Sequence, residues 1–396
     1  MKHEYRLVDA DSHYYEVYDC FSRHIESRFK DRAIHPVHPD HIGRPYIGER
    51  KLKFSTAWPI DYMPAPGVFT DYYLGKEDLG SFTEKNIDPK DHPYMYRRQD
   101  RLQLMDEQGI EATVMLPTLA VAIEQDTLDD LPALFANVRA FNRWIEEDWG
   151  YGKDGRIYGI PMLSLLDPGE AAAEARRLAE AGARAVYIRP GPVYGRSPAD
   201  PAYDPMWDTL QEADILVAFH IGDCVALYCQ EFVAKWGEYP LPAIHRKSGL
   251  QWFAASGDRA ITEMLAAMIF HNLFGRFPRL RCARIELGSS WVAPFMKAID
   301  KAHRDSFNQN NPFGPIKGKP SEIFREHVWV VPFFEDDVDS LVDAIGIDHV
   351  LFGSDYPHPE GPAEPREYFN HLKKYSTADQ RKIMRTNTAG LLGITA

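Results

Sequence analysis

Eight short, nearly unbroken apolar runs recur along the chain with helix-length stretches between them, and this rhythm restricts the fold more than any other feature. The runs are YRLVDA (5–10), ATVMLPT (112–118), IYGIPMLSL (157–165), ARAVYIRP (183–190), ILVAFHIG (215–222), RCARIELG (281–288), HVWVVPFFE (327–335) and HVLFGSDYP (349–357). Runs of this kind are parallel strands buried on both faces, not the alternating strands of a half-solvated sheet. The intervening stretches carry helix signals. In DPGEAAAEARRLAEAG, Asp167 takes the N-cap position, Pro168 the first helical position and Gly182 the stop. LDDLPALFANVRAFNRWIEEDWG has apolar residues at three- and four-residue spacing, and DDVDSLVDAIG opens on acids and closes on Gly346.

Alternating strands and helices build either an open doubly wound sheet or a closed barrel. The polar residues decide between them, because they fall at strand C-terminal ends. Asp11 and His13 follow the first run, Arg189 the fourth, His220 the fifth, Glu286 the sixth, Glu335 the seventh, and Asp355 with His358 the eighth. Only a closed barrel brings all of these ends to one mouth. The expected fold class is therefore α/β, a (β/α)8 TIM barrel, with residues 1–396 forming one domain. Two long insertions, 21–96 after strand one and 221–259 after strand five, are expected to act as lids.

The totals narrow the function. A 396-residue chain that is 44% hydrophobic and 26% charged has enough apolar material for a full core. Its formal charge of −13 disfavours nucleic acid or an anionic membrane as the main partner. No segment reaches the ~18 uninterrupted apolar residues of a membrane span, and the N-terminus lacks a leader pattern. Cys20, Cys224, Cys229 and Cys282 are too scattered for a disulfide framework, and the expectation is a cytoplasmic protein. Cys224 and Cys229 near His220 lack the second ligand pair of a structural zinc site and are read as ordinary thiols.

The mouth residues form a constellation with metal chemistry. D-x-H at 11–13 is a weak signal alone. Combined with His220 and Asp355, each closing a strongly apolar strand where an uncompensated polar group is costly, it gives a mixed oxygen and nitrogen donor set. His271, on a helical segment before strand six, is read as a satisfied structural histidine.

These residues resemble the amidohydrolase superfamily, specifically its amidohydrolase 2 branch, which includes aminocarboxymuconate semialdehyde decarboxylase and γ-resorcylate decarboxylase. The likeness runs through VDADSHYYE, RLQLMDEQGIEATVMLPT, LFGRFPRLRCARIELGSSWVAPFM, PSEIFREHVWVVPFFEDD and HVLFGSDYPHPEG. It implies a barrel with a divalent metal at its mouth, on Asp11, His13, His220 and Asp355, and a homodimer. Two departures stand out. Asp11 replaces the first histidine of the wider superfamily's H-x-H. Glu286 stands where the decarboxylases carry a catalytic histidine at the end of strand six.

Glutamate there adds negative charge, which would repel a substrate carboxylate, and could instead act as a base or as a further metal ligand. The expected function is thus a metal-dependent hydrolase. One or two ions, zinc first, with iron or manganese also suited to the donors, would activate water against an ester, thioester, amide or lactone of a small, largely apolar acid derivative. Asp355 or Glu286 would take the water's proton, with His358 as shuttle or support. Arg189 would hold a substrate anion, and Trp291 with the aromatics of residues 58–73 would shape an apolar pocket. Non-oxidative decarboxylation of an aromatic or unsaturated acid is the alternative. A silent scaffold on a retained barrel is a third reading, which the full donor set opposes.

Overall fold

The first seven apolar runs form parallel strands in chain order. They are β1 (Leu7–Tyr14), β2 (Ile110–Pro117), β3 (Ile157–Gly159, resumed as Met162–Leu163), β4 (Ala185–Ile188), β5 (Leu216–His220), β6 (Cys282–Ile285) and β7 (Val328–Val330). Each pairs in parallel with the next. The computed structural model describes residues 5–35, 46–47, 50–52, 63–76, 86–222, 229–238, 248–254, 258–306 and 311–394.

The third strand is interrupted at Ile160 and Pro161, because proline has no N–H to donate to a ladder. The ladder still crosses the gap: the Ile160 N–H donates to the Met115 carbonyl at 2.9 Å, and the Pro161 carbonyl accepts from the Tyr187 N–H at 2.8 Å.

The eighth run differs from expectation. Residues 350–356 form no regular strand and touch their neighbours through isolated parallel bridges, Val330 with Val350 and Ser12 with Tyr356. Backbone bonds nevertheless close the ring. Leu351 N–H donates to the Val330 carbonyl on one side, and Ala10 N–H donates to the Phe352 carbonyl on the other, at 2.9 and 2.8 Å. The irregularity has local causes. A side chain at Gly353 would meet Asp11 Cβ and Val331 Cγ1 at 2.5 Å, so only glycine fits. Asp355 has a φ of +56°, outside the strand region.

Around the strands pack α1 (Arg98–Gln108), α2 (Leu131–Asp148), α3 (Pro168–Glu180), α4 (Asp204–Glu212), α5 (Asp258–Phe270), α6 (Val292–Asp305), α7 (Pro320–His327) and α8 (Val338–Ile345). The sequence signals operate as read. The Asp167 carboxylate accepts from the Glu170 N–H at 2.9 Å, and Asp337 caps α8. The strands are buried apart from half-buried Glu111 and Trp329, and all eight residues of β1 are inside, including Asp9, Asp11 and His13. Burying a neutral polar group unpaired costs roughly 2–7 kcal/mol, and an ionised carboxylate far more, so each must find a partner.

Part of the first insertion docks near the mouth. Phe69 N–H donates to the Pro359 carbonyl and Thr70 Oγ1 to the Gly361 carbonyl, both at 2.8 Å. The aromatics of residues 58–62, and Cys224, lie outside the described residues. No helix among the described residues is long and apolar enough to cross a membrane.

Candidate metal centre

His13 and His220 are fixed by carbonyls, and this determines which nitrogen each offers. His13 Nδ1 lies 3.2 Å from the Pro117 carbonyl oxygen and His220 Nδ1 lies 2.7 Å from that of Ile221. A carbonyl can only accept, so we assign the hydrogen of each neutral ring to Nδ1, leaving a lone pair on Nε2. The two Nε2 atoms are 3.3 Å apart. Three carboxylate oxygens meet them. Asp11 Oδ1, Glu286 Oε2 and Asp355 Oδ1 stand 3.3, 3.4 and 3.3 Å from His13 Nε2, and Glu286 Oε2 is 2.8 Å from His220 Nε2.

Five atoms carrying lone pairs thus converge in a buried space. All three carboxylate oxygens are buried and none has a hydrogen-bond partner. Orphaned buried acceptors are expensive, and a shared cation is the one partner that satisfies all five together. The donor set, two imidazole nitrogens and three carboxylate oxygens, fits a divalent transition metal. The side-chain atoms group as Asp11, His13, His220 and Glu286, and as His13, Glu286, Asp355 and His358, each within 4.8 Å of one another.

The titration directions report the same shortage of positive charge. Burial pushes the His13 imidazole down, but without a bound cation the Asp11 and Glu286 carboxylates outweigh it and push the group up to about 10, so that a proton would take the place on Nε2 that a metal takes on the neutral ring. Burial and the Glu286 charge push Asp355 well above the usual carboxylate range. Glu286 is held below that range, because His220 and His13 outweigh its burial.

The strand ends aim these groups by unusual backbone. Glu286 and Asp355 have φ values of +49° and +56°. Non-glycine residues there cost about 1–3 kcal/mol and persist only where the surroundings over-determine them. Asp11 lies within β1, not beyond it, at a break in the pairing register between Asp9 and Ser12.

His358 sits beside the cluster. Its ring stacks on His13 with centroids 3.9 Å apart, and its Nδ1 is 2.8 Å from Asp355 Oδ1, off the hydrogen-bond axis. Its Nε2 is 3.1 Å from Thr118 Oγ1. Thr118 spends its hydroxyl hydrogen on the Tyr14 carbonyl at 2.8 Å, so it accepts from Nε2–H. Nδ1 is thereby turned, with a lone pair, toward Asp355.

Arg189 and Trp291 are not among the converging donors. Arg189 Nε donates to Glu124 at 2.8 Å, Nη1 to Gln125 at 3.2 Å and Nη2 to the Pro192 carbonyl at 3.3 Å, so its guanidinium is spent within the protein. Trp291 is buried, gives Nε1–H to the Gly288 carbonyl and packs against Arg284, Phe295 and Phe324. The guanidinium of Arg189 and the indole N–H of Trp291, both expected at the substrate, have these partners within the protein. Glu286 faces the two histidines and forms no ion pair with Arg189 or Arg284. His271 bonds the Ser197 hydroxyl at 2.7 Å.

Sequence reasoning missed Glu360, which lies in the quoted motif HVLFGSDYPHPEG. Burial and the charge of Glu286 push it up to about 8. It also missed Arg101 on α1, which is buried.

The amidohydrolase family model (Amidohydro_2) matches residues 40–394. The chain belongs to this family. Among solved structures, an amidohydrolase (map2389c) from Mycobacterium avium subsp. paratuberculosis K-10 is similar at 37% identity and TM-score 0.88, over 98% of this chain and 100% of that one. A dihydroxybenzoic acid decarboxylase from Polaromonas sp. JS666 shares the barrel at 18% identity and TM-score 0.61, over 98% and 97% of the two chains. Among curated proteins, 2-amino-3-carboxymuconate-6-semialdehyde decarboxylase of Dictyostelium discoideum is 24% identical over 251 residues, 60% of this chain. That match spans 62% of the Dictyostelium protein's length. Membership makes this amidohydrolase a metal-dependent enzyme of a divalent-metal barrel family.

Proposed function

We propose that Asp11, His13, His220, Glu286 and Asp355 hold one divalent ion, and that this amidohydrolase removes CO2 non-oxidatively from a small aromatic or unsaturated carboxylic acid. A single ion is favoured because both side-chain groups share Nε2 of His13, which has one lone pair to give. Zinc and manganese both accept these donors, and manganese is the ion in the Polaromonas decarboxylase structure. When bound, the ion supplies a Lewis acid that polarises a substrate oxygen.

The chain's own groups handle the proton. Loss of CO2 requires a proton at the carbon that bears the carboxylate, so that a C–H bond forms as the carbon–carboxylate bond breaks. Asp355 delivers it from its carboxyl group and is left as carboxylate; His358 Nδ1 then passes it the next proton from solvent. The observation that carries this reading is the 2.8 Å approach of His358 Nδ1 to Asp355 Oδ1, with the tautomer set by Thr118. The name of the Dictyostelium relative supports the reaction type.

Hydrolysis is the second reading, and Glu286 favours it. With Asp11 and Asp355 it brings three carboxylates to the centre, a charge that a substrate carboxylate would have to meet. Manganese-loaded protein offered hydroxybenzoates and unsaturated dicarboxylates in D2O separates the two. Decarboxylation gives CO2 and one deuterium at the carbon that lost the carboxylate. Turnover of esters or lactones with oxygen taken from labelled water, and no CO2 from any acid, would replace it with hydrolysis.

A further inference from the structure

The aspartate that opens the D-x-D-x-H stretch takes no place among the converging donors, although it is as buried as they are. Asp9 is wholly inside, and its carboxylate has three partners. Oδ1 accepts the Asp11 N–H at 3.1 Å and the Ser354 N–H at 3.0 Å, and Oδ2 accepts the Ser354 hydroxyl at 2.5 Å. One side chain therefore ties together the backbone of one proposed ligand, Asp11, and the residue just before another, Asp355.

Those two points are where regular structure fails. The β1–β2 register breaks between Asp9 and Ser12, and the eighth segment has only isolated bridges around a positive-φ Asp355. At neither point does a continuous ladder hold the chain, so the strained geometry must be fixed by other bonds. The Asp11 carbonyl takes the N–H groups of Ser354 and Asp355 at 3.1 and 2.9 Å. The Ser354 hydroxyl oxygen accepts the Tyr356 N–H at 3.2 Å. Farther along the seam, buried Arg101 donates from Nη2 to the carbonyls of His13 and Tyr356. Every bond of this clasp lands on a ligand residue or on a neighbour within two positions of one.

We infer that Asp9, acting through Ser354, is a positioning residue of the metal centre: it sets the spacing of Asp11 and Asp355 across the barrel's closing seam and so governs ion affinity and coordination geometry. This rests on the proposed ligand set and not on the reaction. Groups that orient ligands without touching the ion typically change metal affinity 10- to 100-fold when lost.

The test uses full-length protein stripped with chelator and titrated with cobalt(II), whose visible absorption reports coordination geometry. Wild type, Asp9→Asn, Ser354→Ala and a control, Asn142→Ala, are compared. Asn142 is buried on α2, bonds the Met162 carbonyl and Glu174, and is not among the converging donors. Asp9→Asn and Ser354→Ala are expected to melt cooperatively, bind cobalt about 10- to 100-fold more weakly and show displaced absorption bands. Asn142→Ala is expected to lose stability with wild-type affinity and spectrum. Wild-type cobalt binding in both seam variants, or the same spectral change in the control, overturns the inference. Should Asp9→Asn fail to fold, Ser354→Ala, which deletes the hydroxyl with its bonds to Asp9 and the Tyr356 N–H but keeps the Ser354 N–H bond to Asp9, decides alone. If wild type itself takes up no cobalt, the metal centre fails first and the positioning role falls with it.

Discussion

Glu286 Oε2 stands 2.8 Å from His220 Nε2, yet neither atom has a hydrogen to share, given that His220 spends its own on the Ile221 carbonyl. Two lone pairs held this close call for a cation between them. Glu286→Gln keeps the shape and removes the charge, so the variant should fold, bind a divalent ion more weakly and lose most turnover. His220→Ala removes a nitrogen donor outright and should leave the purified protein with little metal. Elemental analysis alongside a cooperative melt checks both; full metal content in His220→Ala would remove the fifth strand from the ligand set.

His358 makes a different prediction, because it touches a proposed ligand without being needed to hold the ion. His358→Gln should retain metal at the wild-type ratio while kcat falls roughly 10²- to 10⁴-fold, the usual contribution of a positioned proton-transfer group. Metal content and steady-state kinetics on the same sample separate the roles. Loss of metal in proportion to activity would make His358 a ligand rather than a proton carrier.

The sequence makes the barrel and its mouth legible for one physical reason. A strand buried on both faces tolerates few polar residues, so those at its C-terminal end stand out. Asp11, His13, His220, Glu286 and Asp355 were all visible in that way. What stayed hidden depends on contacts without local pattern. Glu124, which occupies Arg189, lies 65 positions away in the segment after β2, and no spacing rule links them. The eighth run reads as a strand, but the room at Gly353 and the positive φ of Asp355 make it something else. Arg101 sits in a helix of low amphipathic contrast, where its burial against two carbonyls has no signature.

The Arg189–Glu124 pair is almost wholly buried on both sides. Breaking such a pair from one side strands a charge and typically costs about 3–5 kcal/mol, whereas replacing both partners by apolar groups is often neutral. Arg189→Met should therefore lower stability by that order in urea melts, and the double variant with Glu124→Leu should regain most of it. Substrate KM in the double variant should stay near wild type. A large rise in KM with stability restored would return Arg189 to substrate binding.

Glu16 offers a pH test at a group outside the proposed ligand set, though His13 lies near enough to lower it in part. Its Oε1 accepts the N–H groups of Leu119 and Ala120 at 2.8 and 2.9 Å, while Oε2 is buried without a partner. Burial outweighs those two bonds and pushes the carboxyl up to about 7 from an ordinary 4.5. The folded state then holds a proton that the unfolded chain has released between these values, so the group's contribution to stability is full below the unfolded pKa and declines as pH rises toward 7. Glu16→Gln cannot ionise. Whatever the amide does to absolute stability, the fall in unfolding free energy between pH 4.5 and 7.5 should be smaller in the variant than in wild type, by an amount on the order of 1–3 kcal/mol. Chemical denaturation at both pH values measures it, and parallel pH profiles for the two proteins would mean that Glu16 is charged in the native state throughout this range.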